Sequence, residues 1–135
     1  MKPYDLKVAD LMSTALLTIK ASESVTEAHM EMELGLVRHL PVLDDRGKLV
    51  GVVSDRDLSA VAASKRPKKI ADLMTRNVLT IRPDAPAYEA AVIMLDHKIG
   101  SVPVVDEHGE LVGVVTATDF LDLARRSLLG LPLER

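Results

Sequence analysis

The chain has 135 residues, 47% hydrophobic and 27% charged, a globular balance that lets one compact unit bury roughly two thirds of its unfolded surface. It has no cysteine, which excludes disulfide frameworks, thiol catalysis and cysteine-based zinc sites and makes a reducing cytosol the expected setting. Lys+Arg 17 against Asp+Glu 20 gives a net charge of −3, and only Tyr4, Tyr88 and Phe120 are aromatic, so neither a phosphate-neutralising surface nor base-stacking platforms for nucleic acid are expected.

The N-terminal run Met1-Lys2-Pro3-Tyr4-Asp5-Leu6 lacks the apolar stretch and small-residue cleavage site of a secretory signal. No apolar run approaches the ~20 residues of a membrane span. A soluble, cytoplasmic protein is therefore expected. A short strand is predicted at 16–19. Ser24 then has the character of a helix N-cap, with Glu27 at the capping-box spacing. Val25, Ala28 and Met32 share one helical face, and Gly35 is expected to stop the helix. A strand at 39–43 leads into Asp44-Asp45-Arg46-Gly47, turn chemistry that joins it to a second strand at 50–53. That second strand is apolar almost throughout, so burial on both faces is expected. A final helix begins at Ser54. The basic stretch 63–69 reads as a solvated linker in which Pro67 ends the preceding helix.

The chain then repeats itself: residues 8–58 overlay 70–120 at a constant shift of 62 without a gap. Ala9-Asp10-Leu11-Met12-Ser13 returns as Ala71-Asp72-Leu73-Met74-Thr75, and Leu40-Pro41-Val42 as Val102-Pro103-Val104. Gly51-Val52-Val53-Ser54 returns as Gly113-Val114-Val115-Thr116, with Asp57 reappearing as Asp119. The second copy predicts a strand at 78–81, a helix with Ala87, Ala90, Ala91 and Met94 inward, a hairpin turning at Asp106-Glu107-His108-Gly109, and a helix from Thr116. Each copy is thus β-α-β-β-α, too small to bury much surface alone, so the two are expected to share one core. The expected divisions are repeat 1 at 1–62, the linker at 63–69, repeat 2 at 70–127 and an apolar tail at 128–135. The tail carries four leucines, Leu128, Leu129, Leu131 and Leu133, which are expected to pack at a subunit interface or against the helices of the first repeat.

Catalytic motifs are absent: there is no Gly-x-Ser-x-Gly, no His-Glu-x-x-His and no phosphate loop, so no enzyme and no catalytic residue is expected. His29, His39, His97 and His108 do not place two ligands on one helical face, and no metal site is expected. What remains is the Ser/Thr-x-x-Asp that follows each buried strand, Ser54 to Asp57 and Thr116 to Asp119. In one reading the pair is a helix cap worth roughly 1 kcal/mol. In the other, the carboxylate accepts two hydrogen bonds from a ribose diol beside a helix end that tolerates an anion. The two readings are compatible.

The duplicated Asp-Leu-Met-[Ser/Thr], hydrophobic-Pro-Val and Gly-Val-Val-[Ser/Thr]-x-x-Asp pattern resembles a pair of cystathionine-β-synthase (CBS) domains, a Bateman module, over almost the whole chain. The resemblance implies an α/β (α+β) fold of two β-α-β-β-α repeats packed sheet to sheet about a pseudo-two-fold axis. It implies a stand-alone regulatory module, a metabolite or energy sensor, that binds AMP, ADP or ATP in the cleft between the repeats and requires no cofactor. By position, Asp57, Asp119, Ser54, Thr116 and Thr118 match ribose contacts. Arg38, His39 and Arg56 match phosphate contacts, which Lys98 could supplement. The adenine contacts fall at Leu16, Leu40, Pro41, Val42, Val78, Val102, Pro103 and Val104. The copies diverge at the phosphate, where Arg38, His39 and Arg56 are matched by Gly100, Ser101 and Thr118. A homodimer and a regulated target protein are the implied partners. The alternatives are a structural or interaction module with vestigial sites, or S-adenosylmethionine binding.

Overall fold

The computed structural model describes residues 2–61 and 68–134 and is a mixed α+β structure. It divides into two compact units, Leu17–Val78 and a split unit made of Met1–Leu16 with Leu79–Arg135.

In the 17–78 unit, β1 (Ile19–Lys20) runs parallel to β2 (His39–Leu43), which pairs antiparallel with β3 (Leu49–Ser54). Helix α2 (Val25–Gly35) starts at the predicted cap, where the N–H of Glu27 donates to Ser24 Oγ at 3.2 Å. Helix α3 (Asp55–Val61) follows β3 directly. In the split unit, α1 (Val8–Leu11) and α4 (Ala87–His97) precede the hairpin of β4 (Ser101–Val105) and β5 (Leu111–Thr116), and α5 (Ala117–Leu128) follows it. Both hairpins close through an aspartate. Asp44 Oδ1 accepts from the N–H groups of Arg46 and Lys48, and Asp106 Oδ1 from those of His108 and Glu110, each bond 2.9 Å. The amide of Glu110, followed by that of His108, holds the Asp106 carboxyl below the ordinary aspartate range. Gly47 and Gly109 take the positive φ, 80° and 77°, that each turn requires.

Among the described residues the buried hydrophobics form two clusters, one in each unit, and each draws on both repeats. Ile19, Ala28, Met32, Leu40, Val42, Val53 and Leu58 of the first repeat are joined by Ile70 and Met74 of the second. Ile81, Ala87, Ala90, Met94, Val102, Val104 and Val115 are joined by Leu6, Val8 and Leu11 from the start of the chain. The two copies thus exchange their leading segments instead of pooling a single core. The reason is local: the N–H of Val8 donates to Ala85 O and that of Ala87 to Leu6 O, while the N–H of Ile70 donates to Glu23 O, so each leading segment is tied to the other copy's helix entry.

Three expectations need correction. The strands predicted at 16–19 and 78–81 shrink to Ile19–Lys20 and to a single bridge between Ile81 and Val104. In the split unit Ile81 uses its N–H on Pro103 O and its carbonyl on the N–H of Val105. Extending that ladder backward would require a donor at Pro103, or at Pro41 in the other copy, and proline has none. Gly35 does not provide the left-handed stop of α2. It is the last helical residue, and Leu36 takes φ 53°, as Lys98 takes 55° after α4. Gly35 instead leaves room for the end of the Leu17 side chain, which a Cβ there would meet. Finally, the strands buried on both faces are β2 and β4, not β3 and β5, which alternate between buried and half-buried residues. β2 has a neighbour on each side, and β4 has β5 on one side and Ile81 on the other.

Pro67 and most of the predicted linker lie outside the described residues. Of the tail, Leu133 packs against the split unit's core, while Leu128 and Leu129 are 86% and 66% exposed. On α5 the Arg126 guanidinium, and then that of Arg125, hold Asp122 below the ordinary aspartate range.

Candidate functional site

In each unit the candidate residues converge where the hairpin opens, at the start of one strand and the end of the next. The register pairs His39 with Ser54 and Ser101 with Thr116. The N–H of Asp55 donates to Arg38 O at 2.9 Å, and the N–H of Ala117 donates to Gly100 O at 3.0 Å, so both copies share one backbone frame. The strand ends and the helices begin within two residues, which places the hydroxyl and the following carboxylate side by side.

The Ser/Thr-x-x-Asp pairs do form caps. The N–H of Ser54 donates to Asp57 Oδ2 at 2.9 Å, and the N–H of Asp57 returns to Ser54 Oγ at 3.1 Å. In the split unit the N–H and hydroxyl of Thr116 both donate to Asp119 Oδ2, at 2.8 and 3.2 Å. Each cap uses one carboxylate oxygen, and all four side chains are half-buried. In the 17–78 unit this leaves Asp57 Oδ1 outside the cap. The capping geometry therefore fixes the carboxylate without consuming it, and a second pair of donors can be accepted there.

Of the basic residues, Arg38 and Arg56 are exposed and His39 is half-buried. Although Asp55 and Asp57 flank Arg56, neither arginine makes an ion pair among the described residues. Thr118 is exposed at the position of Arg56. The apolar candidates divide by strand face. Leu40 and Val42, like Val102 and Val104, have their side chains in the cores, while Pro41 and Pro103, also buried, alternate with them on the opposite strand face. The first-strand residues fall on the other side of the division: Leu16 closes the first part of the split unit and Val78 closes the 17–78 unit. No group of His, Asp and Glu among the described residues could hold a metal ion. No helix among them is long and apolar enough to cross a membrane.

One structural relation was not read from the sequence: the methionine of each Asp-Leu-Met rests on the glycine of the other copy's Gly-Val-Val. A Cβ on Gly51 would lie 2.7 Å from Met74 Sδ, and one on Gly113 would lie 2.7 Å from Met12 Sδ. The recurrence of both motifs at one fixed offset marks the two as a pair, but not which copy's glycine each methionine meets.

Two hairpin-and-helix repeats, each presenting a capped Ser/Thr-x-x-Asp where the strands open, define a tandem-repeat α+β class of fold. The family model described as "CBS domain" matches residues 8–64 and again 70–126, and the chain belongs to that family. It is 33% identical to a CBS domain-containing protein of Dictyostelium discoideum over 93% of this chain and 95% of that protein. It is 38% identical to the L-aspartate semialdehyde sulfurtransferase of Methanocaldococcus jannaschii over 89% of this chain, but spans only 23% of that enzyme's length. A solved CBS domain pair in complex with 5′-methylthioadenosine and S-adenosyl-L-methionine matches with a TM-score of 0.84 and 34% identity, covering 90% of this chain and 98% of the other. The structure of CBSX2, a CBS-pair protein of Arabidopsis thaliana, in complex with AMP matches with a TM-score of 0.80 and 33% identity, covering 90% and 98%.

Proposed function

We propose that this chain is a cytoplasmic regulatory module, without catalytic activity or required cofactor, that binds an adenosine nucleotide and passes its occupancy to a target protein. The observation that carries this reading is the carboxylate of Asp57, fixed through Oδ2 beside the Ser54 hydroxyl with Oδ1 left outside the cap; Asp119 is capped in the same way on Thr116. A ribose diol offers two donors to such a group, and the exposed Arg38 and Arg56, with His39, supply charge for phosphate. Leu40 to Val42 and Val102 to Val104 contribute backbone and proline surface to the base. That solved relatives hold AMP, or 5′-methylthioadenosine with S-adenosylmethionine, supports an adenosine ligand and keeps S-adenosylmethionine as the second reading.

A thermal-shift series with AMP, ADP, ATP and S-adenosylmethionine tests this. At ~100 times its dissociation constant, a ligand held only by the folded state adds about 2.7 kcal/mol. Asp57→Ala and Asp119→Ala are expected to lose some basal stability and most of the ligand-induced shift. A full ligand response in both variants would mean that the aspartates are caps alone.

We also propose that the chain forms a homodimer through the leucines that α5 and the tail leave in water, Leu121, Leu128, Leu129 and Leu131. Deletion of 128–135 is expected to shift the mass in light scattering from dimer toward monomer. An unchanged mass would assign the tail no role in association.

A further inference from the structure

We infer that two copies of this chain exchange their leading segments. Residues 6–13 of a second copy dock in the groove that Pro83, Ala85, Gly113 and Val114 form in the split unit, and the exchange is reciprocal.

The chain itself shows that such a groove takes its segment through more than one connection. In the split unit the N–H of Val8 donates to Ala85 O and that of Ala9 to Pro83 O, and Ser13 and Val114 donate to each other's carbonyls. In the 17–78 unit the N–H of Ile70 donates to Glu23 O and that of Ala71 to Ala21 O, and Thr75 and Val52 donate to each other's carbonyls. These bonds correspond one for one at the repeat shift, and all fall between 2.9 and 3.1 Å. The side chains correspond too. Met12 lies over Gly113 and Met74 over Gly51, each Sδ 2.7 Å from where a Cβ would stand, and the Asp10 and Asp72 carboxylates accept from the N–H groups of Lys7 and Lys69. One segment precedes the first repeat and the other follows it. The docked form is therefore set by groove and segment, not by the chain that joins them.

An exchanged pair keeps all of these hydrogen bonds and the burial of Leu6, Val8 and Leu11, because only the origin of the segment changes. The connection that must be redirected, residues 14–18, lies outside any helix or strand and exposes Thr14 and Ala15. What opposes exchange is the freedom lost when two chains associate, and protein concentration offsets that loss. Leu6, Val8 and Leu11 are at most 2% exposed, so all three must leave their core before partners can change. Exchange is accordingly slow between folded chains and fast during joint refolding. It does not use the leucines of α5 and the tail, and so is a different mode of association from the one proposed for them.

Because the chain has no cysteine, single cysteines report the exchange cleanly. Ser13→Cys and Val114→Cys chains are unfolded in urea, refolded together at about 1 mM, the effective concentration that a short flexible connection gives its own segment, and then oxidised. The covalent dimer linked from position 13 to position 114 is expected at a yield at least about tenfold above that from Ser13→Cys with Glu107→Cys, whose exposed position reports random collision. A yield no higher than that control would overturn the exchange. A second measurement needs no substitution: the dimer fraction refolded from equal amounts of isotope-labelled and unlabelled wild-type chain should give filtered NOEs between Met12 of one copy and Gly113 of the other. A dimer fraction without that NOE would overturn the exchange and leave association through the α5 leucines standing. No dimer fraction at all would overturn both.

Discussion

Removal of residues 1–12 is expected to unfold the unit that contains β4, β5, α4 and α5, although none of those elements is deleted. Leu6, Val8 and Leu11 stand at 1%, 0% and 2% exposure, in a cluster whose other members all come from 81–115. Deleting one fully buried aliphatic side chain costs about 2–5 kcal/mol once the cavity is included. Three together approach the roughly 5–15 kcal/mol that separates a folded domain from its unfolded chain. Backbone pairing is lost as well: the N–H groups of Val8 and Ala9 donate to Ala85 O and Pro83 O at 2.9 Å, and Ala87 donates to Leu6 O at 2.8 Å. In the truncated chain, hydrogen exchange should lose protection at Val102, Val104 and Val115 and keep it at Leu40, Val42 and Val53, whose cluster lies wholly within 17–78. A cooperative melt at the full-length midpoint would show that the leading segment is an ornament on a core complete without it.

Much of the local architecture was legible in the sequence. The β-α-β-β-α order, the Ser24 cap, the Asp44 and Asp106 turns and the capped Ser54 and Thr116 all depend on residues within four positions of one another. Pairings across the chain were hidden by the repeat itself. Because 8–13 and 70–75 carry the same Asp-Leu-Met pattern, nothing in them says which copy's strand each leading segment will join. The end of the parallel strands was hidden differently. Leu17-Thr18-Ile19 has strand periodicity, but the proline that stops its ladder belongs to another strand, twenty-odd residues away. At the candidate site, residue types and positions were legible from the motif, whereas the division of the apolar candidates between core side chains and buried prolines depends on register. Nor could the sequence show that Arg56 makes no ion pair among the described residues, since its neighbours Asp55 and Asp57 suggest one.

Gly51→Val is expected to destabilise the 17–78 unit by on the order of 3 kcal/mol or more, more than any exposed substitution in the chain. A Cβ at Gly51 would lie 2.7 Å from Met74 Sδ, 2.9 Å from Met74 Cγ and 2.9 Å from the carbonyl oxygen of Thr75. The thioether is flexible and can turn aside. The carbonyl cannot, because the N–H of Val52 donates to Thr75 O at 3.1 Å and the N–H of Thr75 donates to Val52 O at 2.9 Å. Any Cβ must therefore stretch that bridge, and the two γ-methyls of valine extend the clash, adding about 0.5–1.5 kcal/mol for each hydrogen bond lost. Gly113→Val meets Met12 Sδ at 2.7 Å but the Ser13 carbonyl at 3.1 Å, so its cost should be smaller. Met74→Ala should relieve part of the cost of Gly51→Ala and little of that of Gly51→Val, because the truncation opens space at sulfur and none at the carbonyl. Urea denaturation of the two single glycine variants and their double mutants with Met74→Ala separates the contributions as coupling energies. A Gly51→Val midpoint equal to that of the wild type would mean that the leading segment floats over β3 without touching it, and that the Met-on-Gly contact contributes nothing to holding the two repeats' exchanged segments in place.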